Sequence, residues 1–488
     1  MSRIIIKINL PGGIVSTGDL QSILRGAESA GASSISFGNR QQLYFEVDED
    51  QLEDLEHQFF VSDTVYEVNA NEHPNIISSY VSEDIFDSTG WLREGVYKDI
   101  LDSFSFTPTL KINLVDSSQT FIPFFTGNIN FISSDVSNYW YLYVRFPKTN
   151  HIHCWSSLIY SEDICEMSKR VESAILENAD LFYDTTAADG HFLEEKVPPL
   201  SGSIRQLPSS PLQLPSYQIP CYEGFNLSGD RSWLGIYRRN EHFNIAFLKD
   251  LCAMCVKSRI GQIYTTTWRS ILIKGISLGD IEQWKMLLIK HEISTRHAAT
   301  ELNWQTEDLC ESGLNLKLAL SKEFDQEDLA TGDLCFAIKM NPKTGLFGSV
   351  IIRKVHLPGE TEERQLFDIL HTTDFNPNSK KLVDYRNHVT ADTLGEALAE
   401  LCRYYADQNV SAIPSTNIQP QIVSDSDTVD IVFQCRFCLS IYDEQTGDES
   451  QCVASGTSFR DLPDAFCCPL CEAEKSAFLE IDRHKIYM

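Results

Sequence analysis

The sequence predicts an α+β fold: two pseudo-repeated halves, then a small domain built on cysteine knuckles. Three observations carry this. Helical stretches of period 3.6 alternate with short runs of alternating apolar residues. The pattern near the N-terminus returns 229 positions later. Two C-x2-C pairs lie within the last block of the chain, 429–488. At about 150 residues per domain, 488 residues suit about three domains. With 42% apolar, 11% aromatic and 22% charged residues, the composition is that of a globular chain.

The elements follow in order. The run Ile4-Ile5-Ile6 before Pro11-Gly12-Gly13 reads as a strand entering a turn. It is too short for a signal-peptide core. Leu20, Ile23, Leu24 and Ala27 make one face of a helix that passes Gly31 into strand alternation at Ile35, Phe37, Leu43, Phe45 and Val47. Strands are predicted at Leu110–Val115, Ile129–Ile132 and Trp140–Phe146, then an amphipathic helix near Ser161–Leu176. Six prolines in 196–221 exclude helix and central strand there, so this is an extended connector. After it, Phe247, Leu251 and Met254 mark a helix that passes Gly261 into Ile263, Ile271, Ile273 and Ile276. The shift of 229 sets Arg40 on Arg269, Leu43 on Leu272 and Val47 on Ile276. Strands at Leu334–Met340 and Gly348–Val355 and a helix at Leu394–Ala406 complete the second half. A polar linker, 408–428, precedes the last block. The expected division is 1–195, linker 196–221, 222–407, linker 408–428 and 429–488.

Forty Lys and Arg against 69 Asp and Glu give a formal charge of −29. Such a surface repels nucleic acid and anionic membranes, so neither is expected as a partner. No run approaches the roughly 18 apolar residues of a membrane span. The expectation is a soluble, cytoplasmic protein without membrane insertion. In that setting, closely spaced members of its 14 cysteines point to metal rather than disulfides.

Cys435-Arg436-Phe437-Cys438 and Cys468-Pro469-Leu470-Cys471 are separated by 29 residues. Two such pairs complete a tetrahedral S4 site that suits iron or zinc, and spacing alone leaves both open. Four thiolates fill the metal's coordination shell. Such a site supports one-electron transfer rather than bond chemistry. The chain therefore reads more as an electron carrier than as a catalyst.

The residues around the pairs say more. Tyr442-Asp443, Gly447-Asp448, Gly456-Thr457, Phe459, Asp461-Leu462-Pro463, Cys468-Pro469, Lys475 and Phe478 closely resemble rubredoxin over about 433–478. The resemblance implies one iron, cycling between ferric and ferrous, held by Cys435, Cys438, Cys468 and Cys471. It implies an aromatic core of Tyr442, Phe459, Phe466 and Phe478. Leu439 and Glu472 stand where glycines are usual, and Phe466 where Trp is usual. Cys452 and Cys467 are additional thiols outside the ligand set. Asp443, Glu444, Asp448, Glu449, Asp461, Asp464, Glu472 and Glu474 make an acidic surface suited to a basic patch on a redox partner.

The halves carry a second resemblance. Leu10-Pro11-Gly12-Gly13-Ile14, Gly38-Asn39-Arg40-Gln41-Gln42-Leu43, His73-Pro74-Asn75-Ile76-Ile77-Ser78 and Thr265-Thr266-Thr267-Trp268-Arg269 resemble the ferredoxin-like half-domains of the nitrite and sulfite reductase family. The resemblance implies basic residues for sirohaem and an anionic substrate, here Arg40 and Lys111. The family's C-x5-C and C-x3-C cysteines have no counterpart, so no Fe4S4 cluster is expected. Cys252 and Cys255 read as core residues on a helix. His151 and His153 beside Cys154, and His291 and His297, read as surface or satisfied core.

These readings converge on an electron-transfer protein serving nitrogen or sulfur oxyanion reduction. Its partners are an electron donor and a reductase acceptor. The alternatives are a sirohaem-type nitrite/sulfite reductase and a zinc-ribbon structural or docking protein.

Overall fold

The chain opens with β1 (Arg3–Ile8), β2 (Ile14–Ser16), α1 (Thr17–Ser29), β3 (Ser34–Phe37), β4 (Leu43–Asp48), α2 (Leu52–Val61) and β5 (Glu67–Val68) in its computed structural model. The structure describes residues 3–83, 85, 90–185, 187–198, 200, 205–206, 212–342, 345–356, 365–379, 381–412, 431–436, 440–448, 451, 453–463, 466–469, 471 and 473–482. Most of the predicted linker 408–428 lies outside them. The chain divides into two units, Met1–Val410 and Ser411–Met488.

An α/β segment follows: β6 (Ile77–Ser78), α3 (Glu94–Ser103), β7 (Ile112–Val115), β8 (Ile129–Ser133), β9 (Tyr139–Arg145), β10 (Ile152–Cys154), β11 (Ser157–Tyr160), α4 (Ile164–Glu177), α5 (Ala179–Phe182), α6 (Gly190–Lys196) and β12 (Arg205–Gln206). The second half begins with β13 (Gly224–Ser228), β14 (Arg231–Ile236), β15 (His242–Asn244), α7 (Ile245–Lys257), β16 (Gln262–Thr265), β17 (Ile271–Ser277) and α8 (Ile281–Lys290). It continues through α9 (Ala299–Leu302), β18 (Trp304–Gln305), α10 (Glu311–Gln326), β19 (Phe336–Lys339), β20 (Val350–Val355), β21 (Leu366–Thr372), β22 (Leu382–Thr390) and α11 (Leu394–Ala412).

The repeat is visible element by element. β1, β2, α1, β3, β4 and α2 return as β14, β15, α7, β16, β17 and α8. Their caps return too. The Ser16 hydroxyl accepts the Asp19 N–H at 3.0 Å, and the Asn244 side chain accepts the Ala246 N–H at 2.8 Å. Each satisfies an orphan donor at a helix start. Left-handed residues recur at the same spacing: Gly12 and Glu241, Asp63 and Glu292.

Each half begins with a small sheet, and the two exchange edge strands. One sheet runs β15-β3-β4-β1-β5 and the other β13-β14-β17-β16-β2. β15 pairs antiparallel with β3, and β2 with β16. One buried core therefore joins both halves, with Ile6, Leu24, Phe37 and Phe59 beside Leu234, Phe243, Leu251 and Trp284.

The later sheets repeat as well. One runs β12-β11-β9-β8-β7-β6 and the other β18-β19-β20-β21-β22. In both, two parallel pairs give way to antiparallel ones. The inner strands β7, β8 and β19 are short and apolar because they are buried on both faces. The described part of the proline-rich connector packs on this body. Tyr217 is buried, the Gln218 carbonyl accepts the Thr120 hydroxyl at 2.5 Å, and the Pro215 carbonyl accepts the Asn376 amide at 2.9 Å.

The small unit is a three-stranded antiparallel sheet, β24-β23-β25, from β23 (Ile431–Cys435), β24 (Ile441–Tyr442) and β25 (Phe478–Asp482). No helix among the described residues is long and apolar enough to cross a membrane.

Candidate metal centre

β23 ends on Cys435, opposite Phe478 of β25, so the sheet fixes where the first sulfur projects. The chain then turns tightly: the Cys435 N–H donates to the Ser440 carbonyl at 2.8 Å. The second pair repeats this turn, with the Cys468 N–H donating to the Ala473 carbonyl at 2.8 Å. The two loops bring Cys435, Cys468 and Cys471 together, with their sulfurs all within 4.8 Å of one another. The Cys435 and Cys471 sulfurs are 3.6 Å apart. Cys435 and Cys468 are fully buried, and Cys471 is exposed. Cys438, Leu439, Cys452 and Glu472 lie outside the described residues. Three convergent thiols have the softness and spacing of an iron or zinc ligand set. Free thiols gain little from such crowding, so the donor set fits a metal.

The Ser440 hydroxyl lies 3.4 Å from the Cys468 sulfur. Beside a thiolate it donates. Cys467 is turned aside, its sulfur 4.0 Å from the Gln451 side-chain oxygen.

Behind the sulfurs sit Tyr442, Phe459, Phe466 and Phe478, as the resemblance implied, with Phe433 added. Phe433 stacks on Phe459 at 4.1 Å, and Tyr442 meets Phe466 edge-on at 5.5 Å. The Tyr442 hydroxyl donates to the Thr457 carbonyl at 2.8 Å. Lys475 closes the far side, donating to the Leu462 carbonyl at 2.5 Å. Two acids of the expected docking surface have internal work. Glu444 accepts the Phe459 N–H at 2.7 Å and the Ser458 hydroxyl at 3.0 Å. Asp443 accepts the Gln445 N–H at 2.9 Å in a turn. Glu449 and Asp464 lie outside the described residues.

In the body, the motif residues meet where the two halves join. Asn75 donates to the Leu10 carbonyl at 2.7 Å and the Arg40 carbonyl at 2.9 Å. Gln41 donates to the Thr265 carbonyl of the second half at 2.9 Å. A side chain at Gly13, which has φ 75°, would press on that same carbonyl. Buried Arg40 donates to the Asn75 carbonyl at 2.7 Å, the Ile112 carbonyl at 2.9 Å and the Asn113 side chain at 3.2 Å. Burial, and then Arg145, pushes its guanidinium down to about 9. Its repeat partner Arg269 instead meets Glu241 at 2.9 Å and Asp308 at 3.1 Å.

Arg40 and Lys111 both line a small cavity of about 30 Å³, with Asn39, Thr126, Gln305 and Phe347. Lys111 is pushed down to about 8 by burial, then by Arg40 and Arg145. Its ammonium makes no hydrogen bond among the described residues. Sequence reasoning missed Arg145, which is pushed down to about 10 by burial and donates to the Thr126 carbonyl at 2.9 Å. Its place on a buried strand was the available signal.

The remaining singled-out residues are placed as follows. Cys252 and Cys255 are buried on α7, and burial raises both thiols. His291 meets Asp250 at 2.8 Å and His297 meets Glu223 at 2.6 Å. The His151 ring packs against Phe146.

With this geometry in view, the rubredoxin family profile matches residues 432–478. Rubredoxin of Megasphaera elsdenii is 48% identical over 50 residues, 10% of this chain and 94% of that one. Probable Rubredoxin-2 of Methanocaldococcus jannaschii is 50% identical over 50 residues, 10% of this chain and 89% of that one. The solved structure of the NirA protein of Mycobacterium tuberculosis superposes with a TM-score of 0.62 and 12% identity. The match covers 83% of this chain and 81% of that one, and at this identity it shows shared fold. The body thus shares the fold of the NirA protein. Through residues 432–478 the chain belongs to the rubredoxin family.

Proposed function

We propose that the protein carries single electrons for a nitrite/sulfite (or nitrate) reductase system, the small domain holding one iron and the body docking to the reductase. The observation that carries this reading is the convergence of the Cys435, Cys468 and Cys471 sulfurs inside a rubredoxin domain. Cys438 is the fourth ligand of the proposal, supplied by the first C-x2-C pair. When bound, the iron supplies a ferric/ferrous couple. The chain's own residues do the rest. The sheet and the two matched turns hold the thiolates in place, so geometry changes little with charge. The aromatic cluster keeps water from the buried sulfurs Cys435 and Cys468. Exposed Cys471 is the side from which a partner approaches.

The body does not suit a tetrapyrrole. Arg40, the motif arginine, has spent its donors on carbonyls and an amide of its own half. Trp268 packs with Phe121, Tyr222 and Phe347 next to the cavity. The space of about 30 Å³ is water-sized, far too small for a carboxylate-bearing macrocycle.

The test is metal analysis and visible spectroscopy of the full-length protein, oxidised and then reduced. The expected result is one iron per chain and a thiolate–ferric spectrum that bleaches on reduction. Zinc without visible absorption overturns the electron-transfer reading in favour of a structural ribbon. A tetrapyrrole band overturns the reading of the body. The partner is tested by mixing reduced protein with a sirohaem nitrite or sulfite reductase and following reoxidation with substrate present. Reoxidation no faster than with substrate alone overturns the assignment to that system.

A further inference from the structure

Far along the chain from the cysteine knuckles, three other metal-binding groups meet on the surface of the body. His153 lies at the centre of β10, which hangs on the outer part of β9. His191 and Glu194 lie three residues apart on α6, so both occupy one face of that helix. Their ligand atoms and one from His153 all lie within 4.8 Å of one another. His153 Nε2 is 2.6 Å from Glu194 Oε1.

The surroundings hold these groups in place. A Cβ at Gly190 would fall inside the His153 ring, so glycine there lets the imidazole lie against the start of α6. Asp189 caps α6, accepting the His191 N–H at 2.9 Å, and so fixes the turn that carries both helix ligands. Glu194 is braced by the Ser156 N–H at 3.0 Å and by the Ser156 hydroxyl. His153 and Glu194 are nearly buried, whereas His191 is exposed. Two imidazoles and one carboxylate form a borderline donor set suited to zinc.

We infer that His153, His191 and Glu194 form a second metal site, for a divalent transition-metal cation of the zinc class. Zinc takes nitrogen at about 2.0–2.1 Å and carboxylate oxygen at about 2.0–2.2 Å. A cation seated among the three replaces the direct His153–Glu194 contact and draws His191 inward. The fourth position is left to water on the exposed His191 side. The ion clips α6, seven residues long and too short to persist alone, onto β10. Both imidazoles bind a cation through a lone pair, so protons compete with the metal for them.

The test is a zinc chloride titration of the full-length protein, with its native metal in the cysteine site and the visible spectrum recorded throughout. Wild type is expected to take one zinc more than the His153→Ala/His191→Ala double variant. That difference of one holds whether iron or zinc fills the cysteines, so it stands apart from the electron-transfer reading. His191→Ala alone and Glu194→Gln alone are expected to weaken binding by at least about tenfold. His191 is exposed, so its variant retains the wild-type far-ultraviolet circular dichroism. Cobalt(II) as a second probe reports the donors: a spectrum without intense thiolate charge-transfer bands supports the site. No zinc uptake by wild type beyond that of the double variant overturns the proposal. Equal affinity in wild type and the single variants overturns it too, leaving a hydrogen-bonded His–Glu pair.

Discussion

Ser440 and Cys468 lie 3.4 Å apart, and that contact sets a property of the centre that spacing alone does not. A hydroxyl donating to a ligand sulfur favours the more negative, reduced state. Ser440→Ala is expected to lower the reduction potential by about 20–60 mV, the equivalent of one hydrogen bond in a one-electron couple. Voltammetry on both proteins measures it, and an unchanged or raised potential contradicts the assignment. Cys468→Ser is expected to abolish the thiolate–ferric absorption. Lys111 illustrates the opposite electrostatic case. Its folded value of about 8 lies below the ordinary lysine value of 10.5 because burial and two arginines disfavour the charge. Below pH 8 the ammonium is charged in folded and unfolded chain alike, and its burial opposes folding. From about 8 to 10.5 the folded form has lost the proton and the unfolded form keeps it, so this penalty is progressively relieved as pH rises. Lys111→Met is therefore expected to stabilise the protein by roughly 1–3 kcal/mol at pH 7 and by much less at pH 10. Denaturant unfolding at the two pH values measures the difference, and a gain that grows with pH contradicts it.

Among the elements, the three-residue strands β2 and β15 have the largest structural consequence for their size. Each pairs with a strand of the other half and forms the edge of that half's sheet. Phe243 on β15 is fully buried and meets Phe37 edge-on at 5.1 Å. Phe243→Ala is expected to cost about 3–5 kcal/mol, felt by both halves at once. Hydrogen exchange checks this: amides of β3 and β16 should lose protection together. The repeat was legible because Val47 and Ile276 hold equivalent places in β4 and β17 and fill one core. The exchange was not, because three residues are too few to show a period. Helices such as α4 and strands such as β8 were legible within a few residues, since each sets a regular apolar face toward a core. The cysteine knuckles were legible because their ligands are close in sequence. His153 and Glu194 are 41 positions apart, and only folding brings them together. Glu444 read as a surface acid, but its carboxylate serves the loop before Phe459, which composition cannot reveal.

For the whole molecule, these cores predict how it comes apart. The shared core and the exchanged strands leave neither half of the body a closed sheet system of its own. The two sequence repeats should therefore melt in one cooperative transition rather than two. The small unit has its own core, but only a handful of aromatic and aliphatic side chains fill it. A core that small does not offset the entropy of ordering its loops, and the metal supplies the missing free energy. Calorimetry of the iron-loaded protein is expected to show one large transition from the body and a separate one from residues 431–482. Reducing the iron and removing it with a chelator should abolish the smaller transition and leave the larger one in place. The Phe433–Phe459 stack provides a local check, since the near-ultraviolet signal of the small domain should vanish with the metal. Two separate body transitions would mean that the exchanged strands do not couple the halves. A metal-free small domain that keeps its transition would mean that the aromatic core alone holds the knuckles together.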